Sequence, residues 1–554
     1  MVGDAGDFIM DIPHLRRVDG RRQLIVDGKP FIILGGEVHN SSSSSLAYME
    51  PIWPRLVSLN LNTVLLPISW ELIEPEEGKF NFNLVDGLIE GARRHNLKII
   101  FLWFGTWKNA VSSYVPAWVK TDQKRFPRAQ DAMGRNLDAI SCFSENALEA
   151  DSRAFKSLMR HILEVDGGHH IVIMVQVENE VGLLGSSRDH NPLAEEQFAK
   201  PVPRELINYL QSNVRSLNPY LRCIWGGAGF KTSGDWREVF GAGADEVFMA
   251  WHFARYVDSV AAAGKVEYPL PMFVNAWLGP SAYAYEEGRP GEYPSGGPVA
   301  RMLDVWRAAA PHIDIISPDI YREDFSSVCR EYDRLDNPLF IPETFRDERS
   351  AAYIFYAIGQ HDAIGFSPFG IDDILEPEKH PLSESYKVLS GMMPLIAKFY
   401  GTGRMMGFVD DGTYGYHHVE SLWRVRARVR GFSCELGDYQ LRIGFTRDLA
   451  ERARAVWPGF PYEDKVPASG LIIAVGSDEY IVAGMNFMLR FLPKDSFSLN
   501  VGILHVEEGV FRDGEWVPGR RLNGDETGHG TYVLFDDKPR VRMVKVYSYR
   551  LSDS

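Results

Sequence analysis

The hydrophobic positions of this 554-residue chain fall into two regimes. Over the first two-thirds, short runs rich in β-branched residues alternate with longer stretches of helical period. The runs lie at residues 31–34, 63–68, 98–104, 171–177, 272–276, 313–316, 338–341 and 363–369. Each is nearly continuous in apolar side chains, as a strand buried on both faces must be. Between them, apolar residues recur every three or four positions. Residues 49–60 place Ile52, Leu56 and Leu59 on one helical face, residues 84–95 place Leu84, Leu88 and Ala92, and residues 145–163 place Leu148, Phe155, Leu158 and Ile162. Strand–helix alternation predicts a parallel sheet. Eight units in about 350 residues predict an α/β fold of the (β/α)8 TIM-barrel type with insertions. A doubly wound open sheet is the competitor, but no Gly-rich phosphate loop follows the first run.

The period changes around residues 391–407. Beyond it come shorter runs at 421–429, 438–445, 470–473, 480–483, 502–506 and 541–547. Turn pairs such as Asp410-Asp411-Gly412, Pro518-Gly519 and Asn523-Gly524 separate them. They predict a C-terminal antiparallel β-sandwich-like domain. The expected division is a barrel over residues 1–395 and a β-rich accessory domain over 396–554. The serine run Ser41–Ser45 follows the first strand and reads first as a flexible surface loop, second as part of a site's rim.

Composition narrows the function. Asp plus Glu number 74 against 59 Lys plus Arg, a net charge of −15. That sign disfavours nucleic acid as a partner. No run approaches the roughly 18 apolar residues of a membrane span, and residues 1–11 do not read as a secretory signal. The chain is expected to be soluble, cytoplasmic or periplasmic. Cys142, Cys223, Cys329 and Cys434 have no metal-type spacing, and no cofactor or metal is expected. Aromatic residues make up 12%, which favours a flat ligand such as a sugar. A homo-oligomer is compatible with all of this.

In such a barrel the chemistry sits at the C-terminal ends of the strands. The fourth run ends in Gln176-Val177-Glu178-Asn179-Glu180, and the seventh leads directly to Glu343. Carboxylates at the ends of apolar runs are costly without a purpose. Two of them on different strands suit glycoside cleavage, one as proton donor and one as nucleophile or base. The remaining ends supply sugar-binding groups: Glu37 and His39 after the first run, Trp70 after the second, Trp107 and Asn109 after the third, Asn275 and Trp277 at the fifth, Tyr321 after the sixth. In the accessory domain, Trp423, Trp516 and Tyr532 could form a platform, although supporting the barrel is the blander role. Asp372-Asp373 reads as a helix cap before a hydroxyl ligand.

These segments resemble the retaining β-galactosidases of glycoside hydrolase families 35 and 42. Gly35-Gly36-Glu37-Val38-His39 is similar to the family 35 first-strand motif. The segment from Trp70 through Glu74-Pro75 and Gly78 to Phe82 is similar to one found in both families. Val175-Gln176-Val177-Glu178-Asn179-Glu180 is similar to the family 35 acid/base motif, with Val181 where Tyr is usual. Asp314–Tyr321 is closer to family 42. The resemblance implies Glu180 as acid/base, Asn179 on the sugar 2-hydroxyl, Glu343 as nucleophile and Tyr321 orienting it. Strand alternation puts Glu178 on the same face as Glu180 and makes it the competitor, and the resemblance decides for Glu180. Gly105-Thr106-Trp107-Lys108-Asn109 stands where family 35 members usually carry a Cys-Ala-Glu-Trp-type segment that grips galactose. The expected activity is release of terminal non-reducing β-D-galactosyl residues. Another retaining exo-β-glycosidase of the same clan, acting on glucosides, mannosides or plant oligosaccharides, is the alternative; a non-catalytic carbohydrate-binding protein is the second.

Overall fold

The structure is a computed structural model, and it describes residues 12–281, 288–420, 426–447, 466–494, 499–512 and 514–550. All eight predicted runs of the first regime form parallel strands: Ile33–Leu34, Thr63–Ser69, Lys98–Phe104, Val172–Val177, Met272–Trp277, Ile315–Ile320, Phe340–Ile341 with Glu343–Thr344, and Gly365–Phe366. Strands two to seven pair in chain order. Strand seven also pairs with strand eight, and strand eight with strand one. Glu37 then bridges to both Leu65 and Phe369, so the pairings run around a ring. Inside that ring lie Ile33, Leu65, Ile100, Leu102, Ile173, Phe273, Ile315, Phe340 and Ile364, one contiguous cluster drawn from strands one to seven and the residue that leads into strand eight. Each of these strands is buried almost throughout, which accounts for the continuous apolar runs.

An N-terminal antiparallel sheet (His14–Val18, Arg21–Val26, Lys29–Pro30) was not legible in the sequence pattern. Its Leu24 and Val26 join the interior cluster. Asp27 pairs with Lys98 and His170, at the starts of strands three and four, so this sheet covers the N-terminal end of the ring. The opposite end remains for chemistry.

Two predicted helices form as Asn83–Arg94 and Glu145–Asp166, the latter capped by the Ser144 hydroxyl accepting from the Ala147 N–H. The third predicted helix is instead two short pieces, Leu46–Met49 and Trp53–Ser58. Pro51 cannot continue a helix and Pro54 is tolerated only in a first turn, which accounts for the break.

The second regime folds into a six-stranded and a five-stranded antiparallel sheet. Leu441, Ile443, Phe487 and Leu489 of one sheet meet Ile472, Val482, Val544 and Val546 of the other in a separate core. Alternate residues of the six-stranded sheet, Leu471, Ile473, Ile481 and Ala483, face the main core instead. There the helix Ser350–His361 lies on the strand Met405–Val409. A Cβ on Gly359 would come within 2.8 Å of the Gly407 Cα, so this crossing needs glycine on both sides. The helix Pro381–Phe399 runs through the expected boundary at residue 395. Pro518-Gly519, expected as a turn, lies within the strand Glu515–Leu522. That strand is at the sheet edge, where a proline costs no ladder hydrogen bond. Trp423 lies outside the described residues. Among the described residues no helix is long and apolar enough to cross a membrane.

Candidate active site

Strand four ends at Val177, and the chain then leaves extended geometry. Glu178 and Glu180 both adopt left-handed backbone angles (φ 62° and 46°). Such angles are costly for residues with a Cβ and mark a constrained turn. The turn resolves the alternation problem, because the two glutamates part company. The Glu178 carboxylate accepts from the Trp107 N–H (2.7 Å) and lies beside Asp151. Burial, then Asp151, pushes its pKa well above the ordinary carboxylate range. Asp151 in turn accepts from the Trp103 indole (2.9 Å) and the Thr106 hydroxyl (2.8 Å). Glu178 therefore anchors the segment after strand three and is not part of the mouth.

Glu180 projects into the mouth. One carboxylate oxygen from each of Glu180, Asp319 and Glu343 lies within 4.8 Å of the others. Glu180, Asp319 and Glu343 are 6%, 2% and 5% exposed. Asn275 ties them together. Its Oδ1 accepts from the Glu180 N–H (2.9 Å), and its Nδ2 donates to Asp319 (2.7 Å) and to Glu343 (3.3 Å). Tyr321 donates its phenolic O–H to Glu343 (2.9 Å), and Asn109 donates to Glu180. Burial first, then repulsion from Glu343, raises Glu180 to about 7, against the opposing pull of Lys108 and of hydrogen bonds with Asp319 and Asn109. Burial works against the Lys108 ammonium, but Glu343, Glu180, Glu37 and Asp319 outweigh it and hold its pKa above the ordinary value.

Glu37 is fully buried at the end of strand one, and both its carboxylate oxygens lack a hydrogen-bond partner in the protein. Burial and the Glu343 charge push its pKa well up. The Asn179 side chain is likewise buried with neither amide atom paired. Buried polar groups of this kind are expensive unless a ligand completes them. Trp277 and Tyr321 are 41% and 42% exposed, offering ring surface. His39 sits further out, its imidazole on Asp373 (2.9 Å) and edge-on to Phe369.

Two of the expected sugar-binding residues lie elsewhere. Trp70 is fully buried and donates its indole N–H to Glu74 (2.8 Å). Trp107 is fully buried, donates to the Ile140 carbonyl and packs edge-on against Phe253 and Tyr256. Both indoles are core side chains with no face toward the mouth. The serine run is not a flexible loop either. Ser42 and Ser43 are buried, donating to Asp372 (2.7 Å) and to the Pro67 carbonyl (2.6 Å). Asp372 thus ties loops together at the rim, accepting also from the His39 N–H. The composition of the strand ends did not single out Asp319 or Lys108. Each lay two residues or fewer from a chosen residue, and only the register of strand six and the turn after strand three bring them in.

Gly105 holds this region together. A Cβ there would lie 2.6 Å from the Glu178 carboxylate and 2.8 Å from that of Asp151, and closer still to the Trp103 indole. Gly105→Ala must displace the segment carrying Lys108 and Asn109. We expect a loss of about 1–3 kcal/mol in denaturant unfolding, the cost of overpacking a core, with a fall in any activity.

Parts of the chain are similar to known proteins. The family described as Glycosyl hydrolases family 35 matches residues 23–218, and a domain of unknown function (DUF5597) matches residues 382–534. A beta-galactosidase from Xanthomonas manihotis is 31% identical over 178 residues. That match is 31% of this chain and 27% of the relative, so the chain spans about a quarter of that protein's length. Among solved structures, a catalytic mutant of Gan42B, a GH42 beta-galactosidase from G. stearothermophilus, superposes with a TM-score of 0.50. The identity is 12%, over 94% of this chain and 98% of that one, a likeness of fold. The cold-adapted beta-galactosidase from Rahnella sp. R3 superposes at 0.49, with 12% identity over 93% and 98% of the two chains. The stretch similar to the glycosyl hydrolases of family 35, residues 23–218, carries strands one to four and the Glu178-Asn179-Glu180 turn.

Proposed function

We propose that the chain is a retaining glycoside hydrolase that releases terminal non-reducing β-D-galactosyl residues. It would use a (β/α)8 barrel over residues 1–395 and a β-sandwich-like accessory domain over 396–554. One observation carries the mechanism: Glu180 and Glu343 bring carboxylate oxygens within 4.8 Å. Retaining enzymes hold their two carboxyl groups about 5–5.5 Å apart, while inverting ones leave ~6.5–9.5 Å for a water molecule. The 31% identity to a beta-galactosidase supports the choice of sugar.

In this scheme Glu343 attacks the anomeric carbon as Glu180 passes its proton to the leaving oxygen. Water, deprotonated by Glu180, then releases the sugar with its original configuration. Tyr321 and Asn275 hold the nucleophile through the bonds already described. Glu37 and Asn179 would complete their unpaired polar atoms on sugar hydroxyls. Trp277 and Tyr321 would meet the substrate at the opening, with His39 at the rim.

Glu180 must be protonated for the first step, and it is raised to about 7. The profile of kcat/KM should therefore fall as pH rises through about 7. A basic limb lying above pH 9 would contradict that role. A panel of nitrophenyl glycosides tests the sugar, and the β-galactoside should be turned over fastest. Proton NMR of the first-formed product should show the β-anomer; an α-anomer appearing first would exclude retention.

A further inference from the structure

We propose that Asp319 stands as a neutral carboxylic acid donating a hydrogen bond to Glu180, which makes it a positioning residue for the acid/base carboxyl. The role rests on the proposed glycosidase chemistry; the protonation state does not. A double-displacement reaction uses two carboxyl groups, and this mouth holds a third within 4.8 Å of both. Asp319 is 2% exposed, on strand six. One of its oxygens accepts from Asn275 (2.7 Å), and the other, Oδ1, finds no donor.

As an anion, Asp319 would leave that oxygen bare and buried, on a carboxylate close to two others. As an acid, Asp319 becomes a donor, and the Glu180 carboxylate, an oxygen of which lies within 4.8 Å of one of its own, is the acceptor at hand. Glu37 from strand one, Lys108 from the segment after strand three, Glu180 after strand four and Glu343 from strand seven all face Asp319, with Tyr321 two residues on. Of these only Lys108 favours the anion, and its ammonium is shared with Glu37, Glu180 and Glu343. Burial and the three glutamates outweigh it and push Asp319 well above the ordinary carboxylate range.

The consequence for turnover is specific. After the first step Glu180 is a carboxylate and must stay aimed at the anomeric centre to activate water. A donated O–H bond to a carboxylate is short and strong, and it would hold Glu180 there while lowering the cost of its charge. The Asp319 proton stays on Asp319 throughout, so the net reaction is unchanged.

Two measurements separate this from a charged third carboxylate. The infrared difference spectrum at neutral pH, wild type minus Asp319→Asn, should contain a protonated-carboxyl C=O band and no carboxylate pair. It needs no substrate, so it decides the protonation state even if no glycoside is turned over, a result that would contradict the proposed function instead. A carboxylate pair in that spectrum would overturn the proposal. In the pH profile of kcat/KM, Asp319→Asn should leave the basic limb where wild type has it, because an amide N–H replaces the donor without changing the charge. Asp319→Ala should move that limb upward by ~0.5 unit or more, because the donor is lost. A downward shift of about one unit in Asp319→Asn, expected from removing a nearby negative charge, would overturn the proposal, as would an unmoved limb in Asp319→Ala.

Discussion

Replacing Glu343 with Gln should abolish turnover of an activated aryl β-galactoside, lowering kcat by on the order of 10^4-fold or more. The amide is close to isosteric, so the position that Tyr321 contacts at 2.9 Å and Asn275 at 3.3 Å stays filled. It cannot form the glycosyl ester, however, and no aglycone leaving group, however good, compensates for a missing nucleophile. Thermal unfolding should be little changed, which separates lost chemistry from lost fold. Substantial residual activity would remove Glu343 from the nucleophile's role. Among the described residues, the carboxyls grouped with it within 4.8 Å are Glu180 itself and Asp319.

The second large effect distinguishes the acid/base from the nucleophile. Glu180→Gln should slow hydrolysis by about 10^2- to 10^4-fold, the usual contribution of general acid–base catalysis. With an activated leaving group the first step needs little protonation, so in the proposed scheme the loss falls on the step in which Glu180 would deprotonate water. Azide needs no base. It should restore the rate and give a β-galactosyl azide. Absence of rescue would be incompatible with Glu180 as the base. Glu178 would be the nearest alternative in sequence, yet its carboxylate is bound to the Trp107 N–H and turned toward Asp151, away from Glu343.

The contrast between those two glutamates shows where sequence reasoning reached and where it stopped. Eight apolar runs located eight strands, because a strand buried on both faces has little choice of composition. The carboxylates at strand ends four and seven stood out for the complementary reason, that a carboxylate after such a run has to be accommodated. What pattern could not supply was side-chain direction once the backbone left the strand. Glu178 and Glu180 share a face in an ideal strand, and only their left-handed turn separates them. Trp70 and Trp107 read as sugar platforms because they follow strands, but an aromatic at a strand end can equally close the core, as both do. Trp277 and Tyr321, identical in sequence signal, keep their rings partly exposed.

Asp319 illustrates a different limit. It stands among apolar neighbours in Ser317-Pro318-Asp319-Ile320, and its importance comes from parallel register: Asp319 lies opposite Trp277 on strand five and Glu343 on strand seven. The N-terminal sheet escaped notice because its strands are short and arginine-rich, and its burial comes only from covering the end of the ring.

Covalent trapping tests the central claim most directly. A 2-deoxy-2-fluoro-β-galactosyl fluoride slows both steps but retains a good leaving group, so the glycosyl-enzyme should accumulate. Mass spectrometry of the inactivated chain should show one added fluorogalactosyl group, on the peptide carrying Glu343. A stoichiometric adduct on any other carboxylate, or rapid turnover with α-galactose as the first product, would contradict the account.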